Sequence, residues 1–320
     1  MLSMASMNES SQSSLSLLAG ITEQQSLVCS IIPPMSYDHH KGQAGRIGIV
    51  GGSAEFTGAP FYAGMAALKL GADLAYVFCP SSAAPAIKSY NPELMVSPLL
   101  DAPDGLDRLR NDYLPRLHSL VIGPGLGRSD KLLDILPGLL SSARDLQLPV
   151  VLDADALYFV SLKPELVHGY RKAILTPNAP EMERLHRSVL GQPPPEDANV
   201  GVQGLSRALG YVTVMAKGKD DIISDGNFCI RCREQGCPRR CGGQGDVLAG
   251  MVATFSHWSH TAADNRISPK YSPTLVAALG GAMLVRRCAR QAFRKCSRSM
   301  LTTDILREIR AGFASLFPVD

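Results

Sequence analysis

The stretch CGGQGDVLAGM, residues 241–251, decides how the rest of the chain is interpreted. Gly242, Gly243 and Gly245 carry no Cβ, so the backbone there can take left-handed angles and approach a ligand closely. The pattern VLAGMVATF that follows Asp246 predicts a helix entering an apolar core. Free backbone amides and the positive end of the helix dipole then point towards the glycines, which predicts a phosphate site.

Asp246 is placed at the mouth of that predicted site, where a carboxylate would repel phosphate. This position favours a chemical role, such as taking the proton from a hydroxyl group that attacks phosphorus. The alternative is that Asp246 only caps the helix while the glycines form a turn.

Length and composition limit the classes of protein that fit. The chain has 320 residues, of which 45% are hydrophobic and 19% are charged, which suits one large α/β domain or two smaller ones. A chain of this length buries a large core without disulfides. The net charge of +3 and the single Trp argue against a nucleic-acid partner. No apolar run reaches the roughly 18 residues of a membrane span, so no membrane partner is expected either.

The chain contains eight cysteines, which we interpret as intracellular thiols rather than a disulfide framework. Cys229, Cys232, Cys237 and Cys241 follow the pattern C-x2-C-x4-C-x3-C, and zinc binding is one interpretation. The spacing of the second pair does not fit a zinc ribbon, and Cys241 directly precedes residues 242–245, the predicted phosphate loop. Buried thiols are therefore the favoured interpretation.

The N-terminal region differs from the rest in composition. Residues 1–34 are predicted to be a disordered tail, and residues 35–320 a single catalytic domain. No Lys or Arg precedes Lys41, so neither a secretory signal nor a mitochondrial presequence is indicated. The expected compartment is the cytoplasm, although Met4 and Met7 leave a mitochondrial pool from alternative starts open.

Predicted strands alternate with predicted helices after this region. The first strand is Arg46–Val50, and longer helices are expected over 59–70, 105–116 and 130–146. A β-hairpin is predicted around Asp225 and Gly226, followed by helices over 272–290 and 302–317. This order predicts an α/β fold with a mostly parallel, doubly wound sheet flanked by helices and a late β-hairpin.

The segments GPGLGR, LDADAL, TPNAPE and KGKDD each follow a predicted strand. Ligands bind at that edge of open α/β sheets. With GGQGD they predict one wall of Lys217 and glycines for phosphates, and a second wall of Gly125, Asn178 and Glu181 for another ligand, with Asp246 between them. Each segment also has a simpler interpretation, as a strand end, an ordinary helix start or a solvated turn.

These segments resemble the ATP- or ADP-dependent NAD(P)H-hydrate dehydratases, which have a ribokinase-like fold. The matching motifs, in chain order, are IVGGS (49–53), PELMV (92–96), GPGLGR (123–128), LDADAL (152–157), LTPNAPEMERL (175–185), KGKDD (217–221) and RRCGGQGDVLAG (239–250). The resemblance covers residues 34–317, and GGQGD-x-LAG is its most specific part.

The resemblance implies a hydro-lyase that repairs nicotinamide cofactors. Its expected substrates are (S)-NADHX and (S)-NADPHX, in which water has added across the 5,6 double bond of the nicotinamide ring. Phosphorylation of the ring hydroxyl by ATP, followed by elimination of phosphate, would return NADH or NADPH. Mg²⁺ is the expected cofactor of the phosphoryl transfer.

The family's functional residues transfer to matching positions here. The implied catalytic residues are Asp246 as the base, with Gly243 and Gly245. The implied contacts to the hydrated dinucleotide are Gly125, Asn178, Ala179, Pro180, Glu181, Met182, Glu183, Arg184 and Asp246. The implied ATP-binding residues are Lys217, Gly218, Lys219, Asp220, Asp221, Gly236, Cys237, Pro238, Arg239, Arg240, Cys241, Gly242, Gly243, Gln244 and Gly245. No metal ligand is assigned, although Glu181 is the candidate for a contact to Mg²⁺ through water.

Some features depart from the family pattern or stay open. Ser97 stands where relatives often have a histidine. The expected partners are small molecules together with a separate NAD(P)HX epimerase, because only about 34 residues precede the match. The free-standing architecture favours ATP over ADP as the donor. A homo-oligomer is left open, since the small-residue helix near Ala63 would suit a partner as well as the core.

Two other functions remain open at this point. A vitamin-precursor kinase would share the fold and the aspartate after glycines, but its motif usually ends in GTGD, so Gln244 favours the dehydratase. A non-catalytic nucleotide sensor is the other, and the intact glycines and Asp246 count against it.

Overall fold

The computed structural model describes residues 22–262 and 270–318. Within them, nine strands form one sheet. The strands are Arg46–Val50 (β1), Leu74–Cys79 (β2), Leu94–Pro98 (β3), Ser119–Ile122 (β4), Val150–Leu152 (β5), Ala173–Leu175 (β6), Thr213–Ala216 (β7), Ile222–Ser224 (β8) and Cys229–Arg231 (β9).

The sheet has the order β3-β2-β1-β4-β5-β6-β7-β8-β9. Strands β1 to β7 run parallel, and β8 and β9 continue the sheet antiparallel. The predicted doubly wound sheet with a late hairpin is therefore confirmed. The strand order reverses between β1 and β4, where Val50 pairs with Ile122, and a ligand crevice is expected outside their carboxyl ends.

Helices cover both faces of the sheet. They are Glu23–Cys29 (α1), Gly58–Leu70 (α2), Ala84–Tyr90 (α3), Gly105–Arg108 (α4), Asp130–Asp145 (α5), Asp155–Leu162 (α6), Ala179–Leu190 (α7), Ala198–Ala208 (α8), Gln244–Thr261 (α9), Pro273–Cys296 (α10), Thr302–Arg307 (α11) and Ile309–Leu316 (α12). Among the described helices, none combines the length and apolar character needed to cross a membrane.

Alternating side chains of the central strands build one core on each face of the sheet. On β5, Val151 belongs to the core shared with α2, α9 and α10, whereas Val150 and Leu152 belong to the core shared with α5 to α8. The small-residue face of α2 packs inside the first core, because a Cβ at Gly250 would lie 2.0 Å from Ala63 O. Ala63 is fully buried there, so this face is not free for a partner.

Two predicted helices are interrupted. The helix expected over 105–116 is α-helical only at Gly105–Arg108, then widens to a π-turn at Leu109–Tyr113 and ends in a 3₁₀ turn. Pro115 explains the change, since it has no N–H to donate and its ring clashes with the carbonyl four residues back. The helix expected over 302–317 breaks at Glu308, which ends α11 and begins α12.

Order begins earlier than the sequence predicts. Helix α1 starts at a capping box formed by Thr22 and Gln25, and Val28 is fully buried in the core. The prediction of a disordered tail was therefore wrong for residues 22–34, and residues 1–21 lie outside the described part. The segment is too short and polar to signal a helix alone, and its stability comes from packing on the rest of the domain.

Candidate active site

Asp246 occupies the first turn of α9, one of the helices that pack on the sheet. The helix is capped by the backbone of Gly243 and has no side-chain cap, so the interpretation of Asp246 as a capping residue is wrong. Among the described residues, no hydrogen bond engages the Asp246 carboxylate. Its side chain is therefore available for chemistry beside the exposed amides of the helix start.

Gly243 is required at this turn by conformation and by space. Its φ of 93° lies in the left-handed region, and a Cβ there would lie 2.9 Å from the ring of Tyr62. Gly242 has open space around it, and its carbonyl accepts a hydrogen bond from Thr302 Oγ1. The phosphate loop is thus held between α2 and α11.

The surroundings of Asp246 change its acidity. Its pKa is raised to about 7, mainly by burial; the carboxylates of Asp153 and Asp155 contribute to the rise, and Lys217 opposes it. A carboxylate with a pKa near neutrality is suited to accept and release a proton at physiological pH.

A cavity of about 1050 Å³ lies on one side of Asp246, against the start of α9. All of the predicted ATP-binding residues line it except Arg239, Gly242 and Gly243. Leu248, Val285 and Ala289 add an apolar wall. A cavity that is lined by glycine amides, Lys217 and aliphatic side chains suits a nucleoside triphosphate.

The KGKDD turn of that cavity is held by an ion pair that the sequence did not reveal. Arg286, on α10, donates to Asp221 Oδ2 at 2.6 Å and to the carbonyls of Lys219 and Gly218. Asp221 also accepts from Gly218 N. The Asp221 side chain therefore shapes the loop. Asp221 also lines the cavity, and its contact with ATP stays a prediction.

The segment 236–245 is braced by its own polar groups. Gln244 Nε2 donates to Arg239 O and to Cys241 Sγ, each at 3.3 Å. Arg240 Nη1 donates to Cys237 O at 2.7 Å. Gln244, which separated the dehydratase from a vitamin-precursor kinase in the sequence, thus fixes the loop before the glycines.

Lys217 stands where the two predicted walls meet. Its Nζ donates to Asp153 Oδ1 at 2.7 Å, and its backbone N–H donates to Pro177 O. Burial lowers the pKa of Lys217, but Asp153, Glu181 and Asp246 together outweigh it and raise that pKa above its usual value. The lysine is therefore a fixed cation and not a solvated turn residue. Asp153, like Arg286, is a candidate functional residue to which the sequence alone assigns no role.

The second wall begins at the capping box of α7. Asn178 Oδ1 accepts from Glu181 N, and Glu181 Oε2 accepts from Asn178 N at 2.7 Å. Burial raises the pKa of Glu181, with Lys217 opposing the rise. TPNAPE is thus a regular helix start that also places a carboxylate within electrostatic reach of Lys217. Asn178 lines the nucleotide cavity as well.

The remaining predicted contacts on α7 are spread around the helix. Met182 is buried in the core and Glu183 pairs with Arg187 on the surface, so neither side chain points into the cavity beside Asp246. Arg184 lies 5.8 Å from the ring centre of Tyr158. Ala179 and Pro180 are exposed in the first turn.

Gly125 lies in the loop after β4, at the switch point of the sheet. Its φ is 62°, and a Cβ would lie 2.6 Å from Phe56 O in the loop after β1. Asp155 holds this loop by accepting from Gly127 N at 2.9 Å. Gly125 therefore brings the two loops together beside the half-exposed ring of Phe56.

The remaining sequence candidates are the cysteines and Ser97. The cysteines are free, and within residues 22–262 and 270–318 no group of three or more His, Cys, Asp or Glu could hold a metal ion. Ser97, on the edge strand β3, lies 3.4 Å from Tyr113 OH.

Comparisons with known proteins agree with this geometry. A family model described as NAD(P)H-hydrate dehydratase matches residues 47–311. An ATP-dependent (S)-NAD(P)H-hydrate dehydratase of Ixodes scapularis is 57% identical over 307 residues, which is 94% of this chain and 98% of that protein.

Two solved structures have the same fold. A ribokinase-like superfamily protein of Enterococcus faecalis has a TM-score of 0.75 at 22% identity, over 92% of this chain and 95% of that one. An ADP/ATP-dependent NAD(P)H-hydrate dehydratase of Bacillus subtilis, co-crystallised with ATP and Mg²⁺, has a TM-score of 0.68 at 21% identity, over 90% and 97% of the two chains. The ribokinase-like fold expected from the sequence is therefore confirmed.

Proposed function

This chain belongs to the NAD(P)H-hydrate dehydratase family, and from that premise we propose that it converts (S)-NADHX and (S)-NADPHX to NADH and NADPH with ATP as the phosphoryl donor. The observation that carries the proposal is the place of Asp246. It directly follows Gly245, which lines a nucleotide-sized cavity, and its carboxylate accepts no hydrogen bond among the described residues.

The first chemical step is phosphoryl transfer to the ring hydroxyl. Hydroxide is a poor leaving group, so the hydroxyl oxygen attacks the γ-phosphorus of ATP while Asp246 accepts its proton, and ADP departs. The amides at the start of α9 and the Lys217 ammonium stabilise the charge that develops on the γ-phosphoryl oxygens. The free carboxylate of Asp246 and its pKa near 7 suit this role.

The second step is elimination of phosphate. The lone pair of the ring nitrogen expels the phosphate from C6, and the departing phosphate takes up the proton that C5 then loses, which restores the 5,6 double bond. The overall products are NADH or NADPH, ADP and phosphate. Asp246, which holds a proton after the first step, needs only to release it to solvent before the next turnover.

Mg²⁺ fits the donor set at this site. The ion usually binds through substrate phosphates and one or two protein carboxylates, keeping several waters. Glu181 is the candidate for a contact through water, because its Oε1 accepts no hydrogen bond among the described residues and Lys217 acts on the pKa of its carboxyl group. When bound with ATP, the ion would neutralise phosphate charge.

The test is absorbance at 340 nm with purified protein, Mg²⁺, ATP and (S)-NADHX. We expect the NADH band to return in step with ADP formation, and neither to change with the Asp246→Asn variant. ATP consumption without return of the band would instead favour a small-molecule kinase. No change with either ATP or ADP would favour a nucleotide sensor, which bound nucleotide in mass spectra would reveal.

A further inference from the structure

Asp153 directly follows β5 and lies against the turn that carries Asp246. It is only 2% exposed, and its Oδ1 accepts hydrogen bonds from Lys217 Nζ and from Thr176 Oγ1, each at 2.7 Å. A carboxylate buried this deeply is costly unless it is paired. The pair with Lys217 meets that need, and Thr176 fixes its orientation.

The pair lies directly against the start of α9. An ideal Cβ at Gly245 would be 3.5 Å from both Asp153 Oδ2 and Lys217 Nζ, and Gly245 immediately precedes Asp246. The same lysine lines the nucleotide cavity, while Glu181 of the opposite wall also acts on it. The ammonium therefore stands at the junction of both sites, and Asp153 is the only side chain hydrogen-bonded to it among the described residues.

We propose that Asp153 is a positioning residue, which holds the Lys217 ammonium under the Gly245–Asp246 turn so that it faces the phosphoryl group during transfer. This inference rests on the proposed function. A lysine side chain has high rotamer entropy, and a fixed anion removes that freedom before substrate arrives. Without Asp153, Lys217 would be free to pair with Glu181 or with Asp246, and a pair with Asp246 would block the proposed base.

Asp153 also acts on Asp246 through charge. The groups that face Asp246 are Asp153, Lys217, Asp155 and, from α2, Tyr62. Removing the negative charge of Asp153 lowers the pKa of Asp246, because the two carboxylates repel each other. This gives a readout that loss of packing alone does not produce.

The test is Asp153→Asn, with Asp225→Asn as the matched control. Asp225 is a similarly buried aspartate at 5% exposure, but it serves the β8–β9 turn by accepting from Asn227 N and Phe228 N. We expect Asp153→Asn to lower kcat by up to about 100-fold and to move the acid limb of the rate profile to lower pH. Asp225→Asn should change thermal stability alone.

A double-mutant cycle with Lys217→Met separates positioning from an independent effect. If Asp153 acts through Lys217, adding Asp153→Asn to Lys217→Met changes kcat by much less than the single variant does. If the effects of Asp153→Asn and Lys217→Met on kcat multiply in the double variant, the proposal is wrong. It is also wrong if Asp153→Asn has the same kcat and pH profile as Asp225→Asn.

A titration without substrate keeps this test separate from the proposed function. Carboxyl ¹³C shifts of aspartate-labelled protein, assigned with Asp246→Asn, report the ionisation midpoint of Asp246 directly. We expect the midpoint to fall in Asp153→Asn and to stay in Asp225→Asn. An unmoved midpoint contradicts the inference, whereas failure of the parent protein to restore NADH contradicts only the reaction.

Discussion

At the scale of single residues, Asp246 acquires its properties from neighbours that are distant in the sequence. Lys217 and Asp153 are 64 residues apart in the chain, yet they form one ion pair under Asp246. The motif GGQGD indicates Asp246 as the proposed base, but its pKa of about 7 depends on burial and on Asp153. No local sequence pattern indicates such a pair, so the motif LDADAL alone does not predict a role for Asp153.

Replacing Asp246 by Asn should remove activity without harming the fold. Loss of a general base typically costs about 10²–10⁴ in rate. The charged form is disfavoured by burial, since the folded pKa is raised to about 7. Ionisation therefore destabilises the folded state as pH rises through that value, and at pH 8 the variant should melt no lower than the parent. A lower melting temperature would show that Asp246 has a structural role.

The pH dependence of kcat/KM should follow the ionisation of Asp246. The base acts only when deprotonated, so the rate should rise with pH to a plateau, with a midpoint of about 7. Steady-state rates from pH 5 to 9 in buffers of constant ionic strength measure this limb. A midpoint near 4 would mean that burial does not act on this carboxylate in the working enzyme.

The two adjacent glycines of the phosphate loop should respond differently to alanine. Gly243→Ala places a Cβ at a φ of 93° and against Tyr62, so the turn must shift. Misplacing one such donor typically costs about 10²–10³ in kcat. Gly242→Ala has open space and keeps its amide, so the change in kcat should be small. Equal kcat values for the two variants would refute this account of the loop.

At the scale of elements, the sequence predicted the parallel strands and most helices, because short apolar runs and glycine turns alternate regularly. It failed where a local feature competes with the pattern, as at Pro115, where the helix becomes a π-turn and a 3₁₀ turn. It also failed at contacts between elements. Arg286 on α10 looks like an ordinary helical arginine, yet it pairs with Asp221, which is 65 residues away.

Arg286→Met should loosen the turn 217–221 that borders the nucleotide cavity. Both side chains of the Arg286–Asp221 pair are about nine-tenths buried, and removing one partner of such a pair typically costs about 3–5 kcal/mol. We expect a lower melting temperature and a weaker affinity for ATP by calorimetry. Lys295→Met is the control, because Lys295 is largely exposed in its pair with Glu308. ATP affinity equal to that of the control would contradict the role of Arg286.

At the scale of the whole molecule, the site exists because the strand order reverses between β1 and β4. The loops after β1 and β4 touch there, since a Cβ at Gly51 would lie 2.3 Å from Pro124 O. Loops after β5, β6 and β7 continue along the same edge and supply Asp153, Asn178 and Lys217. The start of α9 closes the row, so the sheet assembles residues from across the chain.

Helix α1 joins parts of the domain that are far apart in the sequence. Gln24 Nε2 donates to Arg231 O at the end of β9, Gln24 Oε1 accepts from Arg233 N, and Gln25 Nε2 donates to Leu316 O. Arg233 lines the nucleotide cavity, so α1 supports the outer wall of that cavity. The helix is therefore part of the catalytic domain.

Val28→Ala should consequently destabilise the whole domain. Val28 is fully buried against the core, and deleting two methyl groups with incomplete collapse of the space costs about 2 kcal/mol. For a domain of this size, that loss lowers the melting temperature by roughly 3 °C. Ser26→Ala, on the exposed side of the same helix, should leave it unchanged. If Val28→Ala also melts like the parent, α1 does not pack on the core in solution, and the wall at Arg233 must be stable without it.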